Sequence, residues 1–343
     1  MATISLNDPG LSPYLEAIEV ELKDMLASSG PPYDEYDQML HYHMGWLDQA
    51  MRPRNQRAGK RIRPLLGLLS CEAAGGSRAV CLPAAAAVEL LHNFSLLHDD
   101  IQDESKMRRG RPTVWWLWGK PQAINAGDGL FAIAHLALTH LPERGVPLER
   151  ARAAFQAFDQ TCLDLTRGQH LDMRFEDRLD VTVAEYFEMV HGKTAALIAT
   201  ATFLGALLAG AADETVKQYC AFGNHLGVAF QIRDDILGIW GDQTLIGKST
   251  SMDIQTRKKT LPVVYGLQKS PALRKLYAAP KIDAEQVDEI AAILADLGAR
   301  EAAEELAAQH HDRALAALDR TGGAGPPGRM LRELAESLLA RAL

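Results

Sequence analysis

Residues 94–113 read "FSLLHDDIQDESKMRRGRPT", and the structure they adopt decides the fold. They close a run, 84–109, that has no glycine or proline and whose apolar residues recur three and four apart. That spacing predicts an α-helix. A helix also gives the charges a geometry. Asp99 and Asp103 fall one turn apart, and Asp100 lies three residues before Asp103, so the three carboxylates can converge on one side. Such a cluster suits a hard divalent cation; Mg²⁺ takes one or two carboxylates plus substrate phosphate oxygens. For a lone D-D-x-x-D, a solvated acidic turn is the competing reading. His92, seven residues before Asp99, projects on nearly the same face. Four basic residues follow within eight positions, Arg108 and Arg109 among them.

The same helical spacing runs through most of the 343 residues, with Ala, Leu, Glu, Arg and Gln abundant and no alternating strand pattern. Thr182 and Glu185 form the signature of a capping box opening a helix over "VAEYFEMVHGKTAALIATATFL". Breaks fall at 28–34, 73–83, 141–147, 241–253 and 321–328. Candidate site residues are spread from 60 to 260, which favours one all-α domain over 1–343, a single bundle of many helices. Apolar residues make up 47% and charged residues 23%, an ordinary composition for a soluble chain. A net charge of −8 gives no global reason to bind nucleic acid. Cys71, Cys81, Cys162 and Cys220 have no metal-like spacing and read as buried thiols in a reducing compartment. The N-terminus lacks a signal-peptide layout, and no uninterrupted apolar stretch reaches about 18 residues, so a cytoplasmic chain without a membrane span is expected.

A second acidic pair strengthens the metal reading. "FQIRDDILGIWGD" carries Asp234 and Asp235 near the end of an apolar helix, with Gln231 three residues before Asp234 and Asp242 two turns on. Paired aspartates there are costly to bury unless a cation neutralises them. Basic clusters surround both sites: Lys60, Arg61 and Arg63 in "GKRIRP"; Arg108 and Arg109; Lys193 in "HGKT"; Lys248, Lys258 and Lys259 further on. Each alone reads as a solvated face. Interleaved with two acidic sites, they point to a polyanion held through metals and through charge-assisted bonds. The Gly-Lys pairs lack the Walker pattern, so an ordinary P-loop is not supported.

The segments "GKRIRP", "LLHNFSLLHDDIQDESKMRRGRPT", "TRGQHLD", "HGKTAALI", "FQIRDDILGIWGD" and "GKSTSMDIQTRKKTLP" stand in the order found in trans-isoprenyl diphosphate synthases, the polyprenyl synthetase family, which the chain resembles over nearly its whole length. The resemblance implies an all-α helical bundle with a central cavity, of the isoprenoid synthase type, assembled as a homodimer. It implies a prenyltransferase that condenses isopentenyl diphosphate head to tail with an allylic diphosphate (dimethylallyl, geranyl or farnesyl) and releases pyrophosphate. Breaking the allylic carbon–oxygen bond needs strong stabilisation of the leaving group, which Mg²⁺ and Lys/Arg supply. Asp99, Asp100 and Asp103 resemble the first metal site and Asp234 and Asp235 the second, for three Mg²⁺ ions with substrate bound. Arg108, Lys193, Lys248 and Lys258 resemble the groups holding the allylic diphosphate. Thr194 and Gln231 match positions whose oxygens face the developing cation. Lys60, Arg63, His92 and Arg109 resemble the metal-free isopentenyl diphosphate site. Pyrophosphate itself is the plausible final proton acceptor.

Position 238 departs from the family's second D-D-x-x-D, since it is Gly, and puts a direct metal role there in doubt. Gln169 and Asp172 fit a family position near the metals or, equally, a satisfied core pair. Trp115, Trp116 and Trp118 read as core or subunit packing. A class I terpene cyclase would need a Glu after the second motif at a spacing where none occurs, and a non-catalytic subunit of a heteromeric synthase usually loses first-motif aspartates that this chain keeps. Product length follows from the resemblance too. A bulky Phe94 five positions before the first aspartate, a small Ser95 and no insertion between Asp100 and Asp103 resemble synthases that stop at geranylgeranyl diphosphate, with farnesyl diphosphate the alternative. Periodicity alone would not put Phe94 in the channel.

Overall fold

Helices form wherever the three- and four-residue apolar spacing persists, and their ends fall at the caps and glycines that interrupt it. The computed structural model describes residues 8–54, 59–241, 252–279, 282–323 and 325–339. In chain order the first ten helices are α1 (Ser12–Met25), α2 (Asp34–Met44), α3 (Ile62–Ala73), α4 (Arg78–Gln102), α5 (Val114–Trp118), α6 (Lys120–Thr139), α7 (Leu148–Phe175), α8 (Val183–Val190), α9 (Ala196–Ala209) and α10 (Asp213–Trp240). Shorter helices and the long Ala299–Arg320, which lies along α10, complete the all-α bundle.

α9 reads "ALIATATFLGALLA" and is apolar all round, as a helix must be when it has no solvent face. It lies between α3, α4, α7 and α10. Small residues let these backbones approach: a β-carbon on Gly205 would come within 2.9 Å of the Ser70 side chain on α3. The chain leaves α9 through Gly210 in the left-handed region, φ 82°.

The capping box at Thr182 is present. Thr182 Oγ1 accepts from the Glu185 amide at 3.2 Å and Glu185 Oε2 accepts from the Thr182 amide at 2.8 Å. The helix it opens is not uniform, however. His191–Ala195 form a π-helical turn between α8 and α9. A π-bulge inserts an extra residue into one turn and re-aims its side chains. Here α7 crosses against it glycine to glycine: a β-carbon on Gly168 would lie 2.6 Å from the Gly192 carbonyl carbon. This crossing fixes where Lys193 and Thr194 point.

Among the described residues one short hairpin forms although no alternating pattern marks it. Met107–Arg108 pair antiparallel with Arg111–Pro112. Two-residue strands are too short to show alternation. The turn between them has φ 52° at Arg109 and 71° at Gly110, the paired left-handed geometry of a type I′ hairpin. Arg108 and Arg109 therefore leave the chain in different directions.

Two segments, Arg78–Gln102 and Val183–Ala209, are long and apolar enough to cross a membrane by length and composition alone. Most of each is buried against other helices. Trp115 and Trp118 pack on the main core, Trp115 donating to Ser105 O at 2.8 Å, whereas Trp116 is 50% exposed under the Lys106 ammonium.

Candidate active site

Inside the bundle is a cavity of about 400 Å³ whose lining is divided by chemistry. Asp99, Gln102, Gln169, Lys193 and Thr194 are among its polar lining, together with Arg63 and His92; Phe94, Leu165 and Leu197 are among its apolar walls. Along α4 the apolar Phe94 precedes the charged Asp99 by five residues, about 7.5 Å of helix rise. The cavity is wide enough to take in both, so Phe94 and Ser95 do face it, which periodicity alone did not place.

Asp99 and Asp100 of α4 and Asp103 at its C-cap do not converge on one side. Successive helical residues are turned by about 100°, and Asp100 faces away from Asp99, buried against Arg108, whose Nε donates to Asp100 Oδ1 at 2.7 Å. Asp100, Arg108 and Arg109 belong instead to a second, strongly basic cavity of about 360 Å³, shared with Arg54 and Arg111. Burial pushes the Asp100 carboxyl up to about 6 against the pull of Arg108. Burial also raises Asp99, with Lys193 opposing and Asp103 adding to the rise. Asp103 caps α4 and points at Lys258, 3.8 Å away.

The second pair divides in the same way. Asp234 is exposed, while Asp235 is buried and accepts three hydrogen bonds: from Tyr186 Oη at 2.7 Å, Gln231 Nε2 at 2.9 Å and the Leu261 amide at 2.9 Å. These three donors engage both carboxylate oxygens of Asp235. Burial raises its carboxyl to about 7 despite those donors. Gln231 is likewise turned inward, its Oε1 accepting from Thr194 Oγ1 at 2.7 Å. The oxygen expected to face the cavity is therefore Thr194's alone; Gln231 orients it. Tyr186 and Leu261 carried no sequence signal, because their part depends on α8 and Leu261–Lys269 meeting α10.

The basic residues sort into three groups. Lys193 pairs with Asp172, and Lys258 lies among Asp172, Asp103, Asp253 and Asp99, which together raise its ammonium although burial opposes them. Arg63 and His92 meet at 3.1 Å, burial holding Arg63 down to about 10, and the Arg109 guanidinium lies against Gly59, next to the exposed Lys60. Arg61 and Lys259 are structural. Arg61 is buried between Glu19 at 2.7 Å and Glu89 at 2.8 Å, and Lys259 donates to the Glu176 and Arg257 carbonyls, each at 2.9 Å. Lys248 and Asp242 lie outside the described residues.

His43 was not singled out by any motif. Burial, then Arg109, Arg108 and Arg61, hold its imidazole down to about 3, and its Nε2 is buried without a partner. The unfolded chain protonates this His near pH 6.5 and the native protein does not. Stability from this group is therefore complete above about pH 6.5 and falls as pH drops from there toward 3. His43→Gln is expected to flatten the acid side of the melting-temperature curve; a curve parallel to wild type would show that other groups set it.

Residues 44–297 match the model of the family described as Polyprenyl synthetase. The chain belongs to the polyprenyl synthetase family. It is 40% identical over 312 residues to the (2E,6E)-farnesyl diphosphate synthase of Mycobacterium tuberculosis, covering 88% of this chain and 85% of that one. It is 41% identical over 285 residues to a geranylgeranyl diphosphate synthase of the same organism, covering 82% and 80%. Among solved structures, polyprenyl synthetase from Streptomyces coelicolor A3(2) superposes with a TM-score of 0.86 at 37% identity, over 96% of this chain and 98% of that one. As a polyprenyl synthetase the chain is a prenyltransferase, and its cavity is the place to look for the prenyl group.

Proposed function

We propose that the chain condenses isopentenyl diphosphate with an allylic diphosphate to give a short-chain trans-prenyl diphosphate, geranylgeranyl diphosphate in particular. One observation carries this reading: the Asp99 carboxylate, the Lys193 ammonium and the Arg63 guanidinium line the same cavity as Phe94, Leu96, Leu165, Met173 and Leu197. A ligand with a polyanionic head and an apolar tail, as a prenyl diphosphate has, fits such a lining.

The donor set fits a divalent cation. Asp99, Asp103 and Asp234 are hard oxygen donors, desolvation raises the half-buried Asp99 carboxyl, and Gln169 Oε1 is buried without a donor. Bound there, Mg²⁺ would supply charge stabilisation to the departing pyrophosphate. The protein's own groups do the rest. Lys193, Lys258 and Arg108 hold the allylic diphosphate, their carboxylate partners fixing each head group in advance. Thr194, oriented by Gln231 and through it by Asp235, presents its hydroxyl oxygen to the allylic carbon as positive charge develops. Lys60, Arg63, His92 and Arg109 hold isopentenyl diphosphate, Arg63 and His92 from the wall of the same cavity that Asp99 and Lys193 line. The experiment is incubation of the purified chain with Mg²⁺, isopentenyl diphosphate and each allylic diphosphate, followed by product chromatography. No condensation, or cyclised hydrocarbon, would overturn the proposal.

Lys60→Ala should separate the two substrate sites. A charge-assisted bond contributes about 1.5–3 kcal/mol, so KM for isopentenyl diphosphate should rise about tenfold or more while that for the allylic partner stays put. Equal rises for both would contradict the division. For the expected homodimer, α6 and α7 offer a face: Ile124, Leu136 and Leu163 are 43%, 58% and 51% exposed. Leu136→Asp combined with Leu163→Asp should convert a dimer to a monomer by light scattering; a wild-type mass of one chain would remove the proposal.

A further inference from the structure

Where α6 meets α7 there is a cluster of polar groups that the prenyl chemistry does not use. One donor atom from each of His135, Asp159 and Cys162 lies within 4.8 Å of the other two. His135 belongs to α6, while Asp159 and Cys162, three residues apart, share a face of α7. Spacing among the cysteines could not mark this group, because its histidine stands on another helix.

The hydrogen bonding of His135 leaves a place for a cation. Its Nδ1 is 2.8 Å from the Phe131 carbonyl oxygen, and its Nε2 is 2.9 Å from Asp159 Oδ1. A backbone carbonyl and an ionised carboxylate can only accept, whereas a neutral imidazole carries one hydrogen. With that hydrogen on Nδ1, the Nε2 lone pair faces the carboxylate. A second proton on Nε2 would join the pair but would give the Cys162 sulfur no part. A metal ion would use all three donors. An Nδ1–H anchored on a backbone carbonyl is also how metal-bound histidines are commonly oriented. The ring is held further by Phe131, centroids 4.6 Å apart, and edge-on by Phe158 at 5.2 Å. Cys162 is 7% exposed and the Asp159 side chain 59%, so the sulfur lies at the bottom of the cluster and the carboxylate at its mouth. Burial pushes the Cys162 thiol up to about 12, Asp159 adding to the rise. A coordinated cation reverses that preference by stabilising the thiolate.

We infer that His135, Asp159 and Cys162 form a binding site for a Zn²⁺-class ion that ties α6 to α7. Nitrogen, oxygen and sulfur together suit borderline-soft Zn²⁺ and not Mg²⁺, which takes oxygen. Three protein ligands leave the fourth position to water. All three belong to one chain, so binding requires no second copy, and the site is independent of the carboxylates proposed for Mg²⁺.

The test is optical titration of the reduced full chain with Co²⁺ in excess Mg²⁺, followed by displacement with Zn²⁺. Wild-type protein should bind one Co²⁺ with a thiolate-to-cobalt charge-transfer band, which an all-oxygen site cannot give, and Zn²⁺ should abolish it. Cys162→Ser should lose the band. His135→Gln and Asp159→Asn keep the sulfur and should each weaken binding at least tenfold, the scale on which even groups behind a ligand act. Circular dichroism of each variant confirms that the helices are intact. A wild-type protein with no thiolate band overturns the site. So does a band that survives Cys162→Ser, which would belong to Cys71, Cys81 or Cys220, or unchanged affinity in both His135→Gln and Asp159→Asn.

Discussion

Asp99→Ala and Asp234→Ala are each expected to lower kcat by about a thousandfold, the scale on which a single preorganised electrostatic partner of the transition state acts, while the metal-free melting temperature holds or rises. The sign of the stability change follows from the site. Burial, with Asp103 nearby, disfavours the charge on Asp99 in the folded protein, so its removal relieves a penalty. The neighbouring Asp235 should behave in the opposite way. Asp235→Ala strands the Tyr186 hydroxyl, the Gln231 amide and the Leu261 N–H. Each buried unpaired donor costs about 1–3 kcal/mol, so the melting temperature should fall well below wild type. Excess chelator should abolish turnover in the wild-type protein as thoroughly as the first two substitutions. Parallel loss of rate and stability in Asp99→Ala would make that residue structural, and full turnover in chelator would remove the cation from the mechanism.

That contrast between Asp234 and Asp235 also marks how far the sequence could be read. Spacing placed both on one helix end and the resemblance gave both a metal, because a motif records residue types and not the direction in which each side chain leaves the helix. Direction came from α8 and Leu261–Lys269 closing over Asp235. Asp100 turns away from Asp99 for a related reason. Residues 99, 100 and 103 satisfy a one-turn pattern, yet the hairpin at Arg109–Gly110 brings Arg108 back onto α4 and draws Asp100 to it. The all-α bundle itself was legible because its evidence is periodic and repeated over hundreds of residues. The π-turn at His191–Ala195 was not, because "HGKTA" fits an α-helix equally well and only the Gly168–Gly192 crossing reveals the extra residue. Gly238 was visible as a gap. The Asp253 carboxylate packed beside it, fifteen positions on, was not.

If the prenyl tail runs down this cavity, two rings in series should set product length, and substituting them singly and together should tell their order. Phe94 faces the cavity beside Ser95, and Phe131 of α6 stands behind it with ring centroids 5.0 Å apart. Beyond Phe131 the rings continue to His135 at 4.6 Å and from there to Phe158 at 5.2 Å. A prenyl tail growing from the polar lining meets Phe94 first, and pushing into a packed ring costs about 1–3 kcal/mol. Phe94→Ala should therefore lengthen the dominant product by one five-carbon unit, the tail then stopping at Phe131. Phe131→Ala alone should leave the product unchanged, because the first ring still blocks the path. The two together should give a longer and more dispersed set, since no single ring now ends the channel. Each variant removes a large aromatic from packed surroundings, at a stability cost of about 3–5 kcal/mol, so products are to be compared well below the lowered melting temperature. Chromatography of the chain ends decides the order of the stops. A longer product from Phe131→Ala alone would mean that the tail passes Phe94, and an unchanged length in Phe94→Ala would place the stop on another wall of the cavity. Wild-type protein that ends at fifteen carbons would give the farnesyl reading its support while leaving the order of the two rings open to the same comparison.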